Sequence, residues 1–302
     1  MRIFYTDHFE LPLPSGHRFP MDKYRRLRAR VVASKEHASD VLVVPTEATD
    51  EQLLRCHDRR YIEAVQTGSL STAEIRRIGF PWSPKMVSRS RRSTGATIAA
   101  ARAALTDGFS VNLAGGTHHA MTDAGEGYCV FNDAAVTIRT LQAEFEIQRA
   151  CVIDLDVHQG NGTAQILAGD STAFTLSIHG VRNFPLRKTA SDLDVPLPDG
   201  TNDVTYLREL ESALDVVSRN GPFDLAIYLA GADPYEHDRL GRLKLTKHGL
   251  VQRDLAVIRW CQKRGIPLAI AMAGGYASTI DDIVDIHAST VSLASRASRS
   301  VV

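Results

Sequence analysis

Cysteine is scarce in this sequence: Cys56, Cys129, Cys151 and Cys261 are far apart and none forms a CxxC pair. That argues against a disulfide framework, and Cys129 and Cys151, set in apolar runs, read as buried free thiols. Net charge is absent too, with 35 Lys+Arg against 35 Asp+Glu, which argues against a broad nucleic-acid footprint. The short basic clusters Arg25–Arg30 and Arg89–Arg92 read as solvated helix faces. No apolar run approaches the roughly 18 residues of a membrane span, and the N-terminus lacks the apolar core of a secretory signal. A cytoplasmic location is expected. Repeats, low-complexity tracts and Gly/Ser/Pro linkers are also missing, so a single domain over 1–302 is expected, long enough for a sizeable core.

What the chain does have is a rhythm. Short apolar runs occur at 41–44, 109–114, 150–155, 172–178, 223–230 and 266–273. Between most of them lie helical stretches: alanine-rich Ser88–Thr106, Asn132–Phe145, amphipathic Asp203–Arg219, and Thr246–Lys263 opening at a Thr cap. Continuous apolar strands alternating with helices predict an α/β fold, a mostly parallel central sheet covered on both faces. Polar clusters follow four of the strands: "GGTHH", "DLDVHQGNG", "GAD" and "GGY". In such a fold these strand ends share one edge, where ligands bind.

The stretch "ACVIDLDVHQGNG" sets Asp154, Asp156 and His158 at alternate positions just where a buried strand should end. Alternate residues face one way, so Asp156 and His158 can converge with Asp233 of "GAD". Two carboxylates and one imidazole suit Zn²⁺ with an open position for water, or Fe²⁺. The competing reading is a buried polar pair capping a helix that begins near Gly160. Asp154 has two compatible uses: orienting a histidine or helping to bind a monovalent cation. A buried carboxylate needs one or the other.

His118 and His119 form a pair after a glycine turn, with Asp154 and Asn161 as candidate orienting partners. A neutral partner such as Asn161 fixes a ring without raising its pKa, which suits a general base. Tyr276, in "AGGYA", is either a packed aromatic or a phenol donating to a developing oxyanion.

In this order "GHRFPMDKY", "GGTHHA", "GYCVFNDAA", "VIDLDVHQGNGT", "SIH", "AGADPYEHDRLG" and "MAGGY" resemble the histone deacetylase superfamily. The resemblance implies a zinc-dependent amidohydrolase on an arginase-like α/β fold. It implies Zn²⁺ on Asp156, His158 and Asp233, catalytic His118 and His119 with His119 as principal base and acid, and Tyr276 on the oxyanion. It also implies that Asp154 partners the first histidine, and that a structural K⁺ lies among Asp154, Asp156, His158, Ser177 and main-chain carbonyls. "HQGNG" and "DRLG" look closest to class IV and bacterial members, and Asn161 stands where many members carry aspartate. Gly127 and Tyr128 match tunnel-lining positions and Phe184 the opposite wall, although "NFPLRK" departs from the family's Phe-Pro-Gly at Leu186.

The implied substrate is a slender N-acyl amine: an acyl-lysine of a protein or peptide, or a small metabolite. Acetylpolyamine deacetylases are marked by a gate-keeping glutamate where this chain has Leu240. Two other classes compete with this reading. An arginase-type ureohydrolase lacks a ligand at Gly160, and an inactive acyl-amine binder is disfavoured by the complete set of site residues. No direct nucleic-acid partner and no membrane span are expected; oligomeric state is not readable.

Overall fold

The computed structural model describes residues 1–9 and 11–300. Among them eight strands form one sheet: β1 (Arg2–Phe4), β2 (Val41–Val43), β3 (Phe109–Asn112), β4 (Ala150–Asp154), β5 (Ala173–Gly180), β6 (Leu193–Leu197), β7 (Leu225–Leu229) and β8 (Leu268–Ala271). Their order is β2-β1-β3-β8-β7-β4-β5-β6, and every pairing is parallel. The helices are α1 (Asp22–Ala33), α2 (Asp50–Leu54), α3 (Arg59–Thr67), α4 (Thr72–Ile78), α5 (Pro84–Asp107), α6 (Asp133–Ala143), α7 (Asn161–Leu167), α8 (Asp203–Arg219), α9 (Lys247–Arg264) and α10 (Ile280–Arg299). None of them is long and apolar enough to cross a membrane.

Side chains alternate across each strand, and two apolar clusters result. Cys151 and Ile153 of β4 join Tyr228 and Ile270 beneath α1, α8, α9 and α10. Val152, Ile227 and Ala269 face the other way, against α5 and α6. Burial on both faces is why these strands read as unbroken apolar runs. All four cysteines are free and buried. Thr246 caps α9 by accepting from the Gly249 amide, and Asn132 caps α6 in the same way.

One basic cluster is as expected and one is not. Arg25, Arg26 and Arg30 lie exposed on α1, paired with Asp22, Asp281 and Asp285. Arg89–Arg92, in contrast, is not a solvated face: Arg89 and Arg91 are buried. Arg89 stacks 4.6 Å over Tyr24, Arg91 donates to the Ala48 carbonyl and Asp50, and Arg92 lies 3.8 Å over Phe9. Their long apolar stems pack while the guanidinium heads find carbonyls and rings.

A buried ionic knot ties the strand ends together. Arg253 of α9 donates from Nη1 to the Gly231 carbonyl at 2.6 Å and the Leu155 carbonyl at 3.4 Å, and from Nε to Asp254. Asp254 also accepts from Tyr228 and Thr290, each at 2.6 Å. Removing one member of a buried pair strands the other charge, so Asp254→Ala should lower unfolding stability by about 3–5 kcal/mol. Urea unfolding checks this, and a loss below about 1 kcal/mol, the level of an exposed pair, would show that the knot is dispensable.

Candidate active site

Asp156 and His158 leave the end of β4, and Asp233 leaves the end of the adjacent β7. Each is buried, and each offers a ligand atom within 4.8 Å of the others. His158 Nδ1 lies 2.9 Å from Asp156 Oδ1 and 3.2 Å from Asp233 Oδ2. The outward oxygens are held by backbone, Asp156 Oδ2 accepting from the Gly274 amide and Asp233 Oδ1 from the Val157 amide. Asp233 Oδ2 is buried and makes no well-formed hydrogen bond, with His158 Nδ1 standing 3.2 Å away. Burial pushes the Asp233 carboxyl up to about 7, helped by the charge of Asp156. An orphaned oxygen in a hard N/O set fits a divalent cation. Gly274 keeps the space clear: a Cβ there would stand 2.0 Å from Asp233 Oδ2 and 2.5 Å from Asp156 Oδ2. The alternative of a helix-capping pair fails, because α7 has Gly160 at its N-cap and no side-chain cap.

The histidines sit on the turn after β3, which Asp133 holds by accepting from the Gly116 and Thr117 amides, each at 2.8 Å. The two rings, centroids 4.1 Å apart, have different partners. His118 Nδ1 is 2.6 Å from Asp154 Oδ2, and His119 Nδ1 is 2.7 Å from Asn161 Oδ1. Burial disfavours a charged His118, yet Asp154 and Asp156 outweigh it and raise its pKa to about 9. Burial, with cationic His118 and His158 nearby, holds His119 well below the usual histidine value. One ring thus favours a proton and the other does not, an arrangement that serves acid–base work. Asp154 also lies opposite Ser177 in the β4–β5 register; Ser177 Oγ is 3.0 Å from His179 Nδ1.

Tyr276 follows β8 and is buried, its ring centroid 6.3 Å from that of His158. Burial raises its phenol well above the usual value, so it stays protonated and able to donate. A cleft of about 550 Å³ leads to these groups past Gly127, Tyr128, Phe184 and Leu240. Phe184 packs edge-on against His119, centroids 4.9 Å apart. Gly127 has φ +55°, and a Cβ there would meet His119 Cδ2 at 2.7 Å. Leu186, where the chain departs from the family's Phe-Pro-Gly, is 92% exposed and lies outside this lining.

Sequence reasoning missed the residues behind the site. Asp238 accepts from the Tyr276 amide at 2.6 Å, and Arg239 donates to the Tyr276 carbonyl at 2.8 Å. Lys23, almost fully buried, donates to the Ala273 and Gly275 carbonyls and lies 5.5 Å from the Tyr276 ring. An isolated lysine in "MDKY" carries no signal of such a role.

The fold and this constellation have relatives. Residues 17–291 match the family model described as the histone deacetylase domain. The chain is 41% identical over 300 residues to an uncharacterized protein of Picosynechococcus sp., covering 99% of this chain and 98% of that one. It is 33% identical over 287 residues to histone deacetylase 2 of Arabidopsis thaliana, covering 91% and 74%. The crystal structure of the HDA15 HD domain superposes with a TM-score of 0.82 at 20% identity, covering 97% and 90%, a likeness of fold alone. With nine-tenths of its length inside the family model, and with the strand-end residues drawn into one buried group, the chain belongs to the histone deacetylase family.

Proposed function

We propose that the protein is a zinc-dependent deacylase that hydrolyses the amide of an acyl-lysine, or of a similarly slender N-acyl amine, without a covalent acyl-enzyme. The observation that carries this reading is the buried oxygen of Asp233, without a well-formed hydrogen bond, beside Asp156 and His158, the last of which lines the cleft. Asp156, His158 and Asp233 would hold Zn²⁺, or Fe²⁺. The bound ion would supply Lewis acidity and lower the pKa of water. His119, neutral and fixed through Asn161, takes the proton of the attacking water. Tyr276 donates its phenolic proton in a hydrogen bond to the carbonyl oxygen as charge builds there. As the C–N bond breaks, the leaving nitrogen takes a proton from the histidine pair, giving a carboxylic acid and a free amine. Gly127, Tyr128, Phe184 and Leu240 would grip the acyl-bearing stem, and Leu240 in place of a carboxylate disfavours polyamines. Asp154 and Ser177, paired across β4 and β5, are the proposed side-chain anchors of a structural K⁺. A single domain in a reducing, cytoplasmic setting completes the proposal, supported by four unpaired thiols.

The test is purified full-length protein with a fluorogenic acetyl-lysine amide. One zinc per chain and turnover abolished by chelation, then restored by zinc, are expected. Two manganese ions would favour a ureohydrolase, and metal without turnover a binding protein.

A further inference from the structure

Charge around the cleft mouth is segregated. The chain as a whole is neutral, yet Arg18, Arg76, Arg77, Arg182 and Arg242 line the mouth with Glu126 as the lone acid among the lining residues. All five arginines are exposed. Arg77 meets Glu126 at 3.4 Å, and Arg182 and Arg242 share Asp199 at 3.7 and 3.3 Å. Arg18 and Arg76 have no carboxylate partner among the described residues. Five guanidiniums therefore have two carboxylates between them.

The arginines come from four separate segments on both sides of the opening. Arg18 follows His17, whose ring lies 5.9 Å from Tyr128, and Arg76 and Arg77 close α4. Arg182 precedes Phe184, on the other wall, and Arg242 follows Leu240. A slender side chain entering between Tyr128 and Phe184 would leave the residues that flank it beneath these heads. Guanidinium forks bind carboxylates in pairs of parallel hydrogen bonds, and like charges at a low-dielectric mouth attract oppositely charged ligands from a distance.

We infer that the protein acts on acyl-lysines set in acidic peptide segments, with carboxylates on either side of the modified lysine. This rests on the deacylase reading and names its substrate class.

The experiment compares zinc-loaded wild-type protein on acetyl-lysine peptides flanked by aspartates, alanines or lysines, and on free Nε-acetyl-lysine. We expect kcat/KM to rank aspartate above alanine above lysine, with about 10-fold or more between the extremes at low ionic strength. The gap should narrow as salt shortens the screening length to about 8 Å near 0.15 M. An Arg76→Glu, Arg182→Glu double variant with an unchanged melting temperature should reverse the order; the wild-type series stands even if that variant does not fold. Turnover of all peptides at equal rates, or fastest on lysine flanks, overturns this inference and leaves the deacylase reading intact. Free acetyl-lysine outpacing the aspartate-flanked peptide overturns the peptide assignment in favour of a small carboxylate-bearing substrate. No turnover of any substrate by zinc-loaded protein overturns both.

Discussion

His119→Ala should lower kcat by about 10²–10⁴, the usual contribution of a positioned acid–base group, while zinc stays bound. With Nδ1 committed to Asn161 at 2.7 Å, Nε2 is the ring atom available to a water. Burial, with the His118 charge beside it, keeps that ring deprotonated, which is the form a base requires. The sign of a companion change follows. Asn161→Asp places an anion on the same nitrogen and stabilises the protonated ring, so the acidic limb of the kcat/KM profile should move up by about 1–3 pH units. Activity is then lost first on the acid side, where His119 becomes charged. Elemental analysis separates the roles: a His119→Ala protein that loses zinc would make His119 a ligand. An unmoved acid limb in Asn161→Asp would remove it as the base.

Tyr276→Phe should cost about 10²–10³ in kcat, the loss seen when one oxyanion donor is deleted. The phenol is buried and protonated, and its backbone is gripped on both sides by Asp238 and Arg239. Phe19, its ring 6.1 Å away, and the Lys23 ammonium fix the ring plane. Deleting one oxygen leaves that packing in place, so the melting temperature should hold. A donor that acts only in the transition state lowers kcat and kcat/KM together. A folded variant with wild-type kcat would exclude the phenol from the chemistry, and a rise in KM alone would make it a ground-state contact.

Much of the architecture could be read from the chain because its central strands are buried on both faces, and burial writes itself as unbroken valine, isoleucine and alanine. Helix α8 spans Asp203–Arg219, the expected range, since its apolar stripe and Asn202 cap are both local signals. Elements whose stability comes from distant partners were not legible. Strand β1 is three residues long, recognisable through its pairing with β2 and β3. Strand β6 lies at the sheet edge, half-exposed and carrying Pro196, and lacks the apolar run of its neighbours. Helix α10 is rich in serine, threonine and alanine, so propensity conceals it. Its spacing of Ile283, Ile286, Thr290, Val291 and Ala294 does trace one buried face.

The same asymmetry holds at the site. The candidate site residues fall in compact motifs at strand ends, and the structure gathers Asp156, His158 and Asp233 into one buried group. The arginines of the mouth come from four segments and share no motif; only folding makes them a set. Arg89–Arg92 was misread for a related reason: a run of arginines on an alanine-rich helix gives no hint that Tyr24, Ala48 and Phe9 close over it.

The strand order has one more consequence. The site-bearing strands β3, β8, β7 and β4 are consecutive in the middle of the sheet, flanked by β1 and β2 on one side and β5 and β6 on the other. Fraying begins at the rims of a structure, and its interior opens only with the whole. Breathing at β2 or β6 can therefore proceed without parting the four strands from whose ends the site residues project.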